Sequence, residues 1–165
     1  MANTNAPYGF RLWATLPGGT GAKGMVPTRP YIKSATTMKV GDPLKMSLGI
    51  LYMATGTNAI FGICNSPVPG YGETATELHY PDVLPAEPQS IFVAQCIGTT
   101  NATLGYCRQG IKYRIGGTTS GYTGVDLSHT TGGVLQVLGL KPGSAWGTYA
   151  EVLVTVLRGS FYGAA

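Results

Sequence analysis

The sequence predicts a mainly β fold: a single-domain antiparallel β-sandwich or barrel with long loops and an extended N-terminal arm. Three observations predict it. Glycine supplies 25 and proline 11 of the 165 residues, and both disfavour helix interiors. No stretch of helical length carries a convincing 3.6-residue apolar period. Short Val/Leu-rich runs bounded by Gly and Pro recur instead, which is the pattern of strands. A chain of this length buries about 70% of its unfolded surface as one domain, and no linker or internal repeat divides it. The expected division is an arm over residues 1–13 and one β domain over residues 14–165.

Residues 1–7 are small and polar and read as an arm. Tyr8–Trp13 is dense in aromatics and opens the first strand. Leu16–Gly24 is a Gly-rich loop. Met25–Ile32 is extended, because Pro27 and Pro30 push the residues before them toward β or polyproline conformations. Those prolines lack N–H donors, so the segment belongs at a sheet edge or outside the sheet. Met38–Met46 reads as strand, tight turn and strand. Ile50–Ala54 and Ala59–Asn65 read as a hairpin about Thr55–Asn58. Ser66–Pro88 holds five prolines and four of the seven acids, and is expected to be a long surface loop that touches a partner. Ser90–Ile97 is a strong strand. Tyr106–Gln109 and Ile111–Ile115 are short extended pieces, and Gly116–Gly124 is a loop.

The final pair, Val134–Leu140 and Glu151–Arg158, flanks a Pro142-Gly143 turn signal. In its second run Val152, Val154 and Val156 point one way and Leu153, Thr155 and Leu157 the other. Both faces are largely apolar, so the strand is expected to be covered on both sides.

Charged residues make up 11% of the chain, against about 25% for an average domain. A weakly charged, Gly/Thr-rich surface suits a protein packed against neighbours. The net charge is +4, but the bases are scattered singly apart from Arg108, Lys112 and Arg114. Nucleic-acid binders concentrate their bases in runs or stripes, so attraction to an acidic protein surface is the simpler reading. Cys64, Cys96 and Cys107 form no C-x-x-C pair and are expected as free, buried thiols. The N-terminus has no basic region followed by an apolar one, so a signal peptide is not expected. No apolar run approaches the roughly 18 residues of a membrane helix.

No stretch supplies catalytic chemistry. Gly18–Gly24 lacks the spacing of a phosphate-binding loop and leads into no helix. His79 in Glu77–Asp82 has no companion His/Cys cluster at ligand spacing. His129 lies beside Ser128 with Asp126 near, but residues this close along an extended chain alternate faces and rarely converge on a triad. Asp42 and Asp126 read as turn residues. No catalytic residue, cofactor or metal site is expected, and the chain is not expected to be an enzyme. The ten tyrosines are suited to interfaces, where a ring is buried and a hydroxyl kept wet.

Four stretches, in order, resemble one family. Met1-Ala2-Asn3 followed by Ala6-Pro7-Tyr8-Gly9-Phe10-Arg11 is similar to the opening of the capsid decoration, or cement, proteins of tailed bacteriophages, which reads M-A-N-x-x-x-P-[FY]-G-[FL]-R. Val40-Gly41-Asp42-Pro43-Leu44-Lys45 looks like that family's V-G-D-P-V pattern. Gly62-Ile63-Cys64 looks like its apolar strand after a Gly. Trp146-Gly147 before Ala150–Val154 looks like its closing hairpin. Gly18–Gly24 is not matched. The resemblance implies a β-rich domain on the outside of an icosahedral capsid, commonly a homotrimer, clamping major capsid protein subunits together and carrying no catalytic residues.

The expected contact residues are Pro7, Tyr8, Phe10, Arg11 and Trp13 on the arm and Trp146 on the final loop. The partners are the major capsid protein and copies of the chain itself, with neither nucleic acid nor membrane. The expected location is the capsid exterior of a virion, after synthesis in the host cytoplasm. Two other readings remain at this point. One is a glycan-binding module using Tyr71, Tyr80 and Tyr122, and the other is a small-virus coat protein that assembles by itself.

Overall fold

The computed structural model describes residues 8–17, 31–32, 37–48, 50–66, 81–97, 111–117 and 121–157. Among these residues every regular element is a strand, as a mainly β fold requires. In chain order they are β1 (Arg11–Thr15), β2 (Tyr31–Ile32), β3 (Pro43–Ser47), β4 (Ile50–Met53), β5 (Gly62–Cys64), β6 (Val83–Pro85), β7 (Ser90–Ile97), β8 (Lys112–Gly117), β9 (Thr123–Asp126), β10 (Leu135–Leu140) and β11 (Glu151–Val156).

They form two sheets, ordered β1-β7-β11-β10-β8-β9 and β2-β4-β3-β5-β6. In the first sheet β7 also pairs with β9, so five strands close into a barrel-like ring with β1 attached beside it. Four junctions of the ring are antiparallel. Alternation around five strands cannot return to its start, so the fifth junction, Cys96 with Val125 and Ile97 with Asp126, is parallel. The short β2 and β4 also pair in parallel. The expected all-antiparallel pattern therefore fails at two pairs, and at one of them the odd strand number is the reason.

β7 joins three neighbours because it is eight residues long. β11 takes Ile91–Gln95, β1 takes Ser90–Val93, and β9 takes the last two residues. Where β9 closes the ring stands Gly124, and a Cβ there would lie 2.5 Å from the carbonyl oxygen of Gln95.

The main core lies inside the ring. Phe92, Ala94, Cys96, Tyr113, Ile115, Val125, Leu135, Val137, Val152, Val154 and Val156 fill it, and Phe10, Ile60, Ile63 and Ala86 pack against them. A smaller cluster of Met38, Leu44, Leu51, Phe61 and Cys64 belongs to the second sheet. On β5, Ile63 joins the first cluster and Cys64 the second, as the two-residue period of a strand dictates. Cys64 and Cys96 are free and buried, and burial pushes the Cys64 thiol up to about 11. Cys107 lies outside the described residues.

Several expected elements fall where the sequence puts them. Ser90–Ile97 is β7, the final pair forms β10 and β11, and Tyr31–Ile32 sits at a sheet edge. Others differ. β4 and β5 do not form a hairpin, because β3 lies between them. The Thr55–Asn58 turn instead reaches the barrel, where Gly56 and Ile115 exchange backbone bonds of 2.9 and 3.0 Å. Val83–Pro85, expected as loop, pairs with β5. Gly116, Gly117, Thr123 and Gly124, also expected as loop, pair within the β8–β9 ladder. On β11 only the Val152, Val154 and Val156 face is buried, while Leu153 and Thr155 are half-exposed. The other face of this strand is only partly covered, and there Thr155 Oγ1 donates to Pro88 O at 2.7 Å.

The expected arm boundary at residue 13 also moves. Arg11–Thr15 is a strand on β7 with a bulge between Leu12 and Ala14, and Phe10 is 2% exposed. Residues 8–13 thus belong to the folded domain, with β1 beside the ring and Phe10 in the main core.

Candidate functional site

Of the expected contact residues, Pro7 lies outside the described residues. Phe10 is corrected from surface anchor to core residue: its ring is sealed in the main cluster and has no face to offer a partner. Trp13 is 46% and Trp146 41% exposed, and Arg11 is exposed as well. Tyr8 is half-buried and serves as a joint.

That joint is built on Glu151, the first residue of β11. Tyr8 Oη donates to Glu151 Oε1. Lys141 Nζ lies 2.6 Å from Glu151 Oε2. The Arg11 guanidinium stacks 4.2 Å from the centre of the Tyr8 ring, a cation–π contact. The main chain repeats the closure: Lys141 N donates to Glu151 O at 3.0 Å, and Glu151 N donates to Ser144 Oγ at 2.9 Å. Ser144 N donates back to Lys141 O at 3.0 Å, which folds the Lys141–Ser144 turn. At the far end of the loop Gln95 Nε2 donates to Tyr149 O at 3.3 Å.

Partial burial works to raise the Glu151 carboxyl. The hydrogen bonds from Lys141 and Tyr8, with the charges of Lys141 and Arg11, outweigh it and hold the group below its ordinary range. Burial and the bond to Glu151 push the Tyr8 phenol above its ordinary value, so it stays a donor at neutral pH. One carboxylate therefore ties the root of the N-terminal segment to the base of the Lys141–Tyr149 loop. That loop carries Trp146.

The only Ser–His–Asp grouping among the described residues has the wrong geometry for catalysis. Ser128 Oγ and Asp126 Oδ2 both approach the same ring nitrogen, His129 Nδ1, at 2.9 and 2.7 Å. A catalytic imidazole takes the serine proton on one ring nitrogen while the carboxylate holds the N–H of the other. Ser128 N and Oγ also bond to Asp126 Oδ1, so the cluster is a capped turn. Partial burial works to raise Asp126, and the bonds from Ser128 and His129 prevail, holding it low. Among the described residues no group of three or more His, Cys, Asp or Glu side chains could hold a metal ion. No helix among them is long and apolar enough to cross a membrane.

Of the glycan candidates, Tyr71 and Tyr80 lie outside the described residues. Tyr122 is half-buried, with Lys39 Nζ 4.5 Å from its ring centre.

Sequence reasoning missed Glu151, Lys141 and Ser144. The available signal was one acid opening an apolar strand, with a Lys closing the preceding strand. It also missed Leu48, 99% exposed at the tip between β3 and β4 with φ of 51°. Comparison with protein-family models, curated proteins and solved structures found no match.

Proposed function

We propose that the chain is a structural virion protein. It binds the outside of an icosahedral phage capsid, as a homotrimer, and stabilises contacts between major capsid protein subunits. The observation that carries this reading is the Glu151 joint. It sets the root of the N-terminal segment and the Trp146 loop side by side, so two sequence-predicted contact elements act as one surface. Exposed Trp13 and Trp146 supply anchors of the kind that dominate binding energy at interfaces. The sparse charge, the order of the resembling motifs and the inert Asp126–Ser128–His129 geometry support the same reading.

The experiment is sedimentation of purified chain with bare capsids of the phage that encodes it, beside a variant lacking residues 1–7. The expected result is that wild type, a trimer by light scattering, co-sediments, and that the truncated chain keeps its fold and loses most binding. Absence of wild-type binding overturns the reading. Affinity for a host polysaccharide would then favour a glycan module, and shells formed by the chain alone would favour a coat protein.

A further inference from the structure

The loop that presents Trp146 is conformationally demanding. Gly143, Gly147 and Tyr149 all take positive φ, at 84°, 134° and 59°. Left-handed backbone suits glycine and strains a tyrosine. Such a segment keeps one shape only if its surroundings hold it. Side chains outside the loop hold it at both ends: Gln95 at Tyr149, and Glu151 at Lys141. Glu151 spends one carboxylate oxygen on each neighbour, Oε1 on Tyr8 and Oε2 on Lys141. Its own N–H reaches Ser144, two residues from Trp146. Bonds to an ionised group are stronger than neutral ones, and partial burial limits the competition from water.

We infer that Glu151 is a positioning residue, holding the Trp146 loop and the root of the N-terminal segment in one arrangement before a partner arrives. This rests on the proposed capsid reading for its purpose, although not for its structure. A surface ordered in advance loses less conformational entropy on binding. It fits a protein partner that offers an apolar recess to Trp146 and an acidic group to Arg11, which stands exposed over Tyr8.

The test is hydrogen exchange of the free, full-length chain, followed by capsid binding. In Glu151→Ala, amides of residues 142–149 should exchange about tenfold faster, the change that follows from losing a charge-assisted bond. Amides of Phe92–Cys96 should be unchanged. Glu151→Gln keeps an oxygen and an amide at the same place and should lie between. Capsid affinity should fall in the same order. Unchanged loop exchange in Glu151→Ala overturns the inference, and so does equal acceleration in the core, which would mark a general loss of stability. A loosened loop with wild-type capsid affinity overturns the link to binding while leaving the capsid reading intact. Failure of wild type to bind capsids overturns the capsid reading alone, and the exchange data still decide whether Glu151 positions the loop.

Discussion

Gly9 and Gly41 lie back to back. A Cβ on Gly9 would stand 2.6 Å from the carbonyl oxygen of Gly41, and Phe10 N donates to that same oxygen at 2.8 Å. A Cβ on Gly41 would in turn strike the carbonyl oxygen of Tyr8. Both glycines have positive φ. This contact docks the start of β1 onto the turn before β3, and so ties the two sheets together. Gly41 N continues the chain of bonds to Cys64 O at 2.8 Å.

Gly41→Ala should therefore lower stability by about 1–3 kcal/mol from the backbone conformation alone, and by more once Tyr8 is displaced. Urea unfolding followed by tryptophan fluorescence measures it. An unchanged midpoint would show that the contact is slack.

Phe10→Ala should cost about 3–5 kcal/mol, the usual loss for a buried Phe, since its ring is sealed in the main core. A truncation reaching through Phe10 should consequently unfold the domain, whereas one stopping at residue 7 should spare it. Thermal melts of the two truncations separate these outcomes, and equal melting temperatures would contradict the placement of Phe10.

Trp146→Ala should change folding stability by less than about 0.5 kcal/mol, as is usual for an exposed side chain. Capsid affinity should fall by about 2 kcal/mol or more if the ring is a binding anchor. Paired melting and capsid-sedimentation measurements check both halves. A stable variant that still binds normally would remove Trp146 from the interface.

Two acids should give opposite pH dependences. Glu151 titrates below its ordinary 4.5 in the folded chain. Its contribution is present above that value and is lost as pH falls through the depressed folded value. Asp42 behaves in the reverse sense: burial raises it above 3.8, outweighing the bonds from Lys39 N and Thr123 Oγ1. Its contribution is complete below 3.8 and is lost as pH rises through the raised value. Glu151→Gln should thus flatten the acid side of the stability curve. Asp42→Asn should gain on wild type as pH climbs from below 3.8 toward neutrality. Denaturant midpoints at several pH values give both signs, and a parallel shift of either variant at all pH would refute its assignment.

The strands with strong apolar runs were legible because local composition decided them: Ser90–Ile97 and Glu151–Val156 fall where the pattern puts them. Partner choice was not legible. The period of two says which residues share a face, not which strand lies beside it, so Ile50–Ala54 and Ala59–Asn65 read as a hairpin although β3 intervenes. Val83–Pro85 was hidden by its prolines, which an edge position tolerates. At the site, Trp13 and Trp146 were visible as aromatics near Gly-rich turns. Phe10 belonged to the same aromatic cluster, and only the fold of the Gly9–Gly41 contact turns it inward. Glu151 was invisible because its partners stand 10 and 143 positions away.

The place of β11 beside β7 in the ring also sets a timetable for folding. β7 must wait for β11, some sixty positions later, before its Ile91–Gln95 edge finds a partner. Until then the emerging chain exposes one apolar, unpaired edge of β7, of the kind that recruits other chains. Circularity thus makes the domain an all-or-nothing product of synthesis. A ribosome stalled before Glu151 would hold an aggregation-prone intermediate rather than a smaller folded barrel.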